Sequence, residues 1–369
     1  MLTLNLISTI DKGALTRGID NLLLTCVGLK AGESILLVQE PDSEKMYLPE
    51  VAKVVATRAG ELGAQATVQT YKLITEPGKF PDTLIDAMNQ TDHTIFMSRI
   101  GDYSRFVPFS GRSTKTQCYA LDTKMLASHY AGACYQLMTQ LHQKLEAELM
   151  TAKHWQLSCA LGTDLSGDFS WPSQQGGKDD DFSLELFPVT TFKPVPCDNA
   201  SGQVALSRWL MPGGVAKVQP SHISFDGVVM AEVSEGELIR FAGPATAVKQ
   251  LNDHCDFVAS TLNINRNRVH SWHAGLNPHT FFDDCMTNDL ERWEGISFAS
   301  PRYLHVHTCG DVPPGEITWS VFNPTVVIDG ETYWENGQCV WYQREDNKAL
   351  IAEVVGAECL LELSSCIKV

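Results

Sequence analysis

Residues 29–39 read LKAGESILLVQ, a glycine-containing turn followed by a run of apolar residues. Gly32 interrupts the amphipathic stretch before it, and Ser34–Gln39 is predicted to form a short buried strand. Residues 49–62, PEVAKVVATRAGEL, place apolar side chains at helical spacing. A buried strand followed by an amphipathic helix is the first unit of an alternating pattern.

The alternation of strands and helices continues to about residue 121. Further strands are predicted at residues 66–71, 94–99 and 117–121. Strands that alternate with helices are typical of a mostly parallel sheet with helices on its faces. The first part of the chain is therefore predicted to be a Rossmann-like α/β domain.

A long helix is predicted over residues 124–150. Leucines recur every four residues along it, at Leu137, Leu141, Leu145 and Leu149. This spacing gives one apolar face that packs on a core. The helix would close the N-terminal domain, which we assign to residues 1–150.

The remainder of the chain, residues 151–369, has a different pattern. Short strand-like segments dominate, among them residues 203–206, 222–225 and 325–328. Asp226-Gly227 and Asp329-Gly330 are dipeptides of the kind that form hairpin turns between apolar runs. This part is predicted to be an α+β domain with much antiparallel sheet.

The composition limits the classes of partner. The 369 residues carry a formal net charge of −16, which argues against nucleic acid and anionic membranes as partners. The sequence contains no apolar run long enough to span a bilayer and nothing typical of a signal peptide. Its 11 cysteines are scattered without a close pair, which favours a reduced, cytoplasmic protein.

Six short motifs are spread in order along residues 26–330. They are Cys26-Val27 with residues 29–38, Leu62-Gly63-Ala64, Gly162-Thr163-Asp164-Leu165, Asn199-Ala200-Ser201-Gly202, Gly275-Leu276-Asn277-Pro278, and Asn323-Pro324-Thr325-Val326 with Asp329-Gly330. In this order they resemble the aminopeptidase T family of metallo-aminopeptidases, which is more distantly related to a ring-cleaving dihydroxypyridine dioxygenase. The resemblance implies a Rossmann-like N-terminal domain, an α+β C-terminal domain with the active-site cleft, and a homodimer.

The resemblance also implies where metal ligands would lie, and this sequence departs from it. Family peptidases hold two metal ions with two Glu, two His, a Tyr and an Asp. The segment matching the first Glu is Pro188-Val189-Thr190-Thr191, and the position of the second is Ser271. The family's His-x-Asp segment aligns with Glu316-Ile317-Thr318. The family's two-metal site is therefore predicted to be degenerate.

Histidines are concentrated in the same two segments, at His270, His273, His279, His305 and His307. On a strand, His305 and His307 would share one face, because side chains alternate with a period of two. Two imidazoles with Asp311 would suit Zn, Mn or Fe. His270, His273, Asn277 and Glu316 are predicted to line the ligand-binding cleft. The metal is the alternative: we first expect the imidazoles to be hydrogen-bonded residues of a pocket that holds no cofactor.

Three functions stay open on the sequence. The first is a protein that binds a peptide or small molecule in the former substrate cleft and serves a tailoring pathway. The second is a metalloenzyme with a rebuilt His/Asp site, either a hydrolase or a mononuclear Fe(II) dioxygenase-like enzyme. The third is an active metallo-aminopeptidase.

Overall fold

The computed structural model describes residues 10–73, 80–104, 111–171, 184–213, 218–310, 316–361 and 367. The fold is mixed α/β, with one parallel and one antiparallel sheet. No helix in the described part of the chain is long and apolar enough to cross a membrane.

The parallel sheet has five strands in the order β2-β1-β3-β4-β7. Its strands are β1 (Ser34–Gln39), β2 (Gln65–Thr70), β3 (His93–Met97), β4 (Thr114–Cys118) and β7 (Leu184–Phe187). Alternate residues of β1 enter different apolar clusters: Ile35 and Leu37 on one face, Leu36 and Val38 on the other. Burial of both faces explains why this strand reads as a continuous apolar run.

The predicted strands and the helix predicted at residues 49–62 are present, with ends that differ from the prediction by at most three residues. The helices that accompany the sheet are α1 (Lys12–Asp20), α2 (Glu50–Glu61), α3 (Asp82–Asn89) and α4 (Ile100–Tyr103). In α2, Val51 and Val55 lie one turn apart and are fully buried, as the helical spacing predicted.

The prediction of one helix over residues 124–150 is wrong in its first third. The structure has two short helices, α5 (Thr123–Leu126) and α6 (His129–Gly132), before α7 (Tyr135–Thr151). The side chain of Asn21 donates to the carbonyl oxygens of Ala131 and Ala133, at 2.8 and 2.6 Å. The four leucines of the predicted stripe lie in α7 and are buried.

The antiparallel sheet has eleven strands. The main path is β16-β15-β5-β6-β9-β14-β13-β12-β8, and β10 pairs with both β9 and β11. The bounds are β5 (His154–Ser158), β6 (Asp164–Asp168), β8 (Val195–Pro196), β9 (Ser201–Pro212), β10 (Ile223–Ser234), β11 (Glu237–Ala242), β12 (Val269–Ala274), β13 (Tyr303–Thr308), β14 (Ile317–Phe322), β15 (Thr325–Ile328) and β16 (Glu331–Trp334).

The two predicted hairpin turns have different outcomes. Asp329-Gly330 is a two-residue turn, since Ile328 pairs directly with Glu331. Asp226-Gly227 is not a turn: β10 runs through it, and the register with β9 shifts between Phe225 and Val228. The two extra residues form a bulge, because the apolar residues on either side pair with the same neighbouring strand.

Three further α-helices are α8 (Ala245–Leu262), α9 (Leu290–Ser297) and α10 (Glu345–Ala352). The described residues also include a π-helix at Asn21–Cys26 and 3-10 helices at Asp42–Glu44, Val340–Gln343 and Ala357–Leu361. One apolar cluster extends along the chain from Ile19 to Ile367 and includes residues of both sheets. Strand β7 pairs in parallel with β4, although it follows residue 150 in the sequence. The division into domains at residue 150 stays a prediction.

Candidate functional site

The candidate site lies on β12, β13 and β14 of the antiparallel sheet. His273 on β12 is opposite His305 on β13, and Ser271 is opposite His307. Leu304 and Val306 alternate with the two histidines of β13, so the imidazoles leave the strand on the opposite face from these aliphatic side chains. Strand pairing thus brings together two histidine segments that are about thirty residues apart in the sequence.

His273, His305 and His307 form a cluster whose ring nitrogens lie close enough together to hold a metal ion. Each offers one ring nitrogen, and these three nitrogens all lie within 4.8 Å of one another. The ring centroid of His273 is 5.2 Å from that of His305 and 4.9 Å from that of His307. All three side chains are buried, with exposed fractions of 9, 6 and 6 %.

Aromatic and hydroxyl side chains surround the cluster. The Tyr303 ring is 4.5 Å from the His305 ring, and the Phe298 ring is 6.1 Å from it. Tyr303 is also hydrogen-bonded to Ser320, which is opposite His305 on β14. Thr318 is opposite His307. The cluster therefore has apolar cover on one side and small polar groups beside it.

The environment of His305 fits a metal ligand. Burial, and then the charge of His307, hold the pKa of His305 well below its ordinary value. Its Nε2 atom is buried and makes no hydrogen bond to the described residues. A neutral imidazole with an available nitrogen is the form that binds a metal. In the described part of the chain, no carboxylate belongs to this group of donor atoms.

The other predicted site residues have different surroundings. His270 is half-buried at a bulge of β12, with Nδ1 3.0 Å from the Ser271 hydroxyl. Asn277 is fully buried, and its side chain bonds the backbone of Val189 and His279.

Glu316 immediately precedes β14, and its N–H donates to the carbonyl oxygens of Thr308 and Cys309. Its carboxylate is not among the donor atoms that meet with the three histidines. Asp311 lies outside the described residues. The prediction that Asp311, His305 and His307 bind a metal therefore stays a prediction.

The positions that the resemblance aligned with metal ligands lie around the cluster. Ser271 and Thr318 flank His307 on the neighbouring strands. Thr191 pairs with Gly275, two residues after His273. All three carry hydroxyl groups.

No protein-family profile and no curated protein sequence matches this chain. Solved structures with a similar fold include 2,5-dihydroxypyridine dioxygenase from Pseudomonas putida KT2440, with 13 % identity and a TM-score of 0.59 over 90 % of this chain and 98 % of that one. Wild-type AmpT from Thermus thermophilus has 10 % identity and a TM-score of 0.51 over 89 % of this chain and 99 % of that one. These likenesses identify a mixed α/β fold shared with AmpT and the dioxygenase.

Sequence reasoning did not identify Ser271 as a partner of the histidines. Its hydroxyl is 3.3 Å from His307 Nδ1 as well as 3.0 Å from His270 Nδ1. The contact with His270 follows from adjacency, but the one with His307 depends on the register of two strands. No sequence pattern in the chain fixes that register.

Proposed function

We propose that this protein is a metal-dependent enzyme whose centre is the cluster of His273, His305 and His307. The observation that carries the proposal is the meeting of three buried imidazole nitrogens within 4.8 Å. Three histidine ligands can hold Zn²⁺ and leave a coordination position for water or substrate, and imidazole also suits iron. Zn, Fe or Mn is therefore the expected cofactor.

The chain's own residues would bind and orient a substrate beside the metal. The hydroxyl groups of Ser271, Thr318 and Ser320 lie on the strands that carry the histidines or pair with them, and can hydrogen-bond to polar groups. Phe298 and Tyr303 cover His305 and limit the access of water. A bound metal would supply a Lewis acid at this position.

Two reaction classes are compatible with this centre. The similar folds of AmpT and of a dioxygenase support a hydrolase and a ring-cleaving Fe(II) dioxygenase as the candidates. The metal distinguishes them: Zn would favour a hydrolase, and Fe would favour the dioxygenase. Activity on leucyl substrates with added Zn or Mn would identify an active aminopeptidase.

A second candidate is a metal-free protein that binds a peptide or small molecule in a tailoring pathway. The observation that favours it is the hydroxyl side chain at Thr191, Ser271 and Thr318, where the resemblance expects carboxylates. Without carboxylates at these positions, the chain would lack ligands for the two metal ions of the family. The polar groups around the cluster would then serve to bind the ligand.

Metal analysis of the purified protein tests the proposal. We expect stoichiometric Zn, Fe or Mn in the native chain and its loss in the His305→Ala/His307→Ala variant. His154→Ala is the matched control, because His154 is exposed on another strand of the same sheet. A native chain that contains no metal and takes up none on reconstitution would contradict the enzyme and favour the binding protein. Light scattering tests the homodimer, which stays a prediction.

A further inference from the structure

Arg208 on β9 has a backbone conformation that residues other than glycine rarely adopt. Its φ is 73°, and it lies where the register between β9 and β10 shifts. A side chain in this left-handed region is strained, and strain of this kind clusters at functional sites. Bulges next to such sites commonly re-aim a side chain. The backbone therefore points to a role for the Arg208 side chain.

The guanidinium group of Arg208 lies against aromatic rings of the sheet. Its Cζ atom is 5.3 Å from the centre of the Phe322 ring and 6.0 Å from that of Trp209. Side chains of adjacent residues in a regular strand point to opposite faces. The left-handed backbone at Arg208 departs from this alternation, and its side chain lies beside that of Trp209. Stacking on aromatic rings leaves the fork of N–H donors in the guanidinium plane able to bind a ligand.

The charge of Arg208 has no counter-charge in the part of the chain that the structure describes. Its side chain is exposed, and its hydrogen bond there is the one that Nη1 donates to Met286 Sδ, at 3.7 Å. Acidic residues outnumber basic ones by 44 to 28, so carboxylates are plentiful. Arg240 on β11, which is also exposed, pairs with Glu232 at 2.6 Å. Arg208 thus keeps donors available in a chain that pairs a similar arginine on the same sheet.

We propose that Arg208 binds an oxyanion, the carboxylate or phosphate group of a small molecule. A guanidinium group binds either one through two parallel N–H···O bonds. Two rings separate Arg208 from the candidate metal centre: the Phe322 ring is 5.4 Å from the Tyr303 ring, which is 4.5 Å from the His305 ring. The oxyanion site contains none of the three histidines, so it extends beyond the proposed function and does not require a metal.

The first experiment compares three probes that share a phenyl ring: benzoate, phenyl phosphate and the neutral benzamide. Ligand-observed NMR measures their affinity for the full-length chain, with a chelator present so that no metal ion binds the anions. We expect one of the anions to bind about tenfold more tightly than benzamide, because hydrogen bonds to a charged partner supply a difference of this size. The anion that binds more tightly identifies the oxyanion.

The variants locate this preference. It should disappear in Arg208→Gln and weaken in Arg208→Lys, because an ammonium group lacks the planar fork of donors. It should remain in Arg17→Gln, the control, which removes an exposed arginine of α1. A native chain that does not prefer either anion, or an unchanged preference in Arg208→Gln, would overturn the proposal. Since the chelator is present throughout, the result stands even if metal analysis contradicts the proposed function.

The second experiment separates a binding role from a structural one. Glycine adopts a positive φ without the strain of a Cβ atom, so Arg208→Gly relieves the backbone while it removes the guanidinium. We expect this variant to melt at or above the native temperature, by circular dichroism, and to lose the preference for the anion. Clearly lower melting temperatures in both Arg208→Gly and Arg208→Gln would show that the side chain supports the fold instead, and would overturn the proposal.

Discussion

Glu294 on α9 is a carboxyl group whose neighbours oppose its ionisation. Burial, followed by the charges of Asp102 and Glu291, raises the pKa of Glu294 to about 8. The folded chain therefore keeps this proton up to a higher pH than the unfolded chain, whose glutamates have an ordinary pKa near 4.5. Because Glu294 binds more protons in the folded state between these values, its contribution to stability falls as pH rises from about 5 to about 8.

Glu294→Gln tests this pH dependence, because an amide cannot lose the proton. We expect the variant to melt close to the native chain near pH 5 and progressively above it toward pH 8, in thermal unfolding monitored by circular dichroism. Glu353→Gln makes the same chemical change at an exposed position and serves as the control. Parallel melting curves for Glu294→Gln and the native chain at every pH would show that Glu294 ionises normally.

Strand periodicity in the sequence predicted which histidines share a face of one strand, but not which residues of neighbouring strands meet. Alternation put His305 and His307 on one face, and their place on a strand is confirmed. The completion of the cluster by His273 instead of His270 depends on which residue of β12 is opposite His305. A bulge in β12 between Val269 and Ser271 sets that register, and it has no sequence signal that periodicity could detect.

At the break between α6 and α7, the side chain of Asn21 makes three hydrogen bonds to backbone groups. Besides donating to Ala131 and Ala133, Asn21 accepts a hydrogen bond from Tyr135 N at 3.2 Å. These bonds satisfy backbone groups at the end of one helix and the start of the next. The leucine stripe could not predict these bonds, because Asn21 is more than a hundred residues away from the break.

Asn21→Ala should therefore lower the free energy of unfolding by about 1–3 kcal/mol, since it leaves partly buried backbone groups without a partner. Asn21→Asp should be no better, because a carboxylate cannot donate to the two carbonyl oxygens. Thr16→Ala on the preceding helix removes only a local exposed bond and is the control. Urea unfolding measures all three, and equal stability of Asn21→Ala and Thr16→Ala would contradict the role of Asn21.

In the whole molecule, residues before and after position 150 contribute to the same sheet and to the same hydrogen-bond network. Glu148 on α7 accepts hydrogen bonds from Tyr333, Trp341 and Arg344 near the C-terminus, at 2.9, 2.9 and 3.0 Å. The alternation of strands and helices predicted the first four strands of the parallel sheet. The alternation did not predict β7. Strands β5 and β6 come before β7 in the sequence but belong to the antiparallel sheet.

A chain that ends at residue 150 would show how far the parallel sheet depends on the C-terminal part. Such a fragment lacks β7, so the edge of β4 loses its partner and Tyr119 N loses its 2.7 Å bond to the Phe187 carbonyl. It also loses Phe187, which is fully buried and packs with its ring 6.0 Å from Tyr135. An unpaired edge beside exposed apolar surface promotes association with other chains.

We therefore expect residues 1–150 expressed alone to aggregate or to unfold without a cooperative transition. Co-expression with residues 151–369 supplies β7 in trans and should recover a soluble complex of the two fragments. Thermal unfolding and size-exclusion chromatography of both samples provide the measurement. A fragment 1–150 that is monomeric and melts cooperatively would show that the N-terminal sheet is stable without β7, and that the boundary at residue 150 separates two independent folding units.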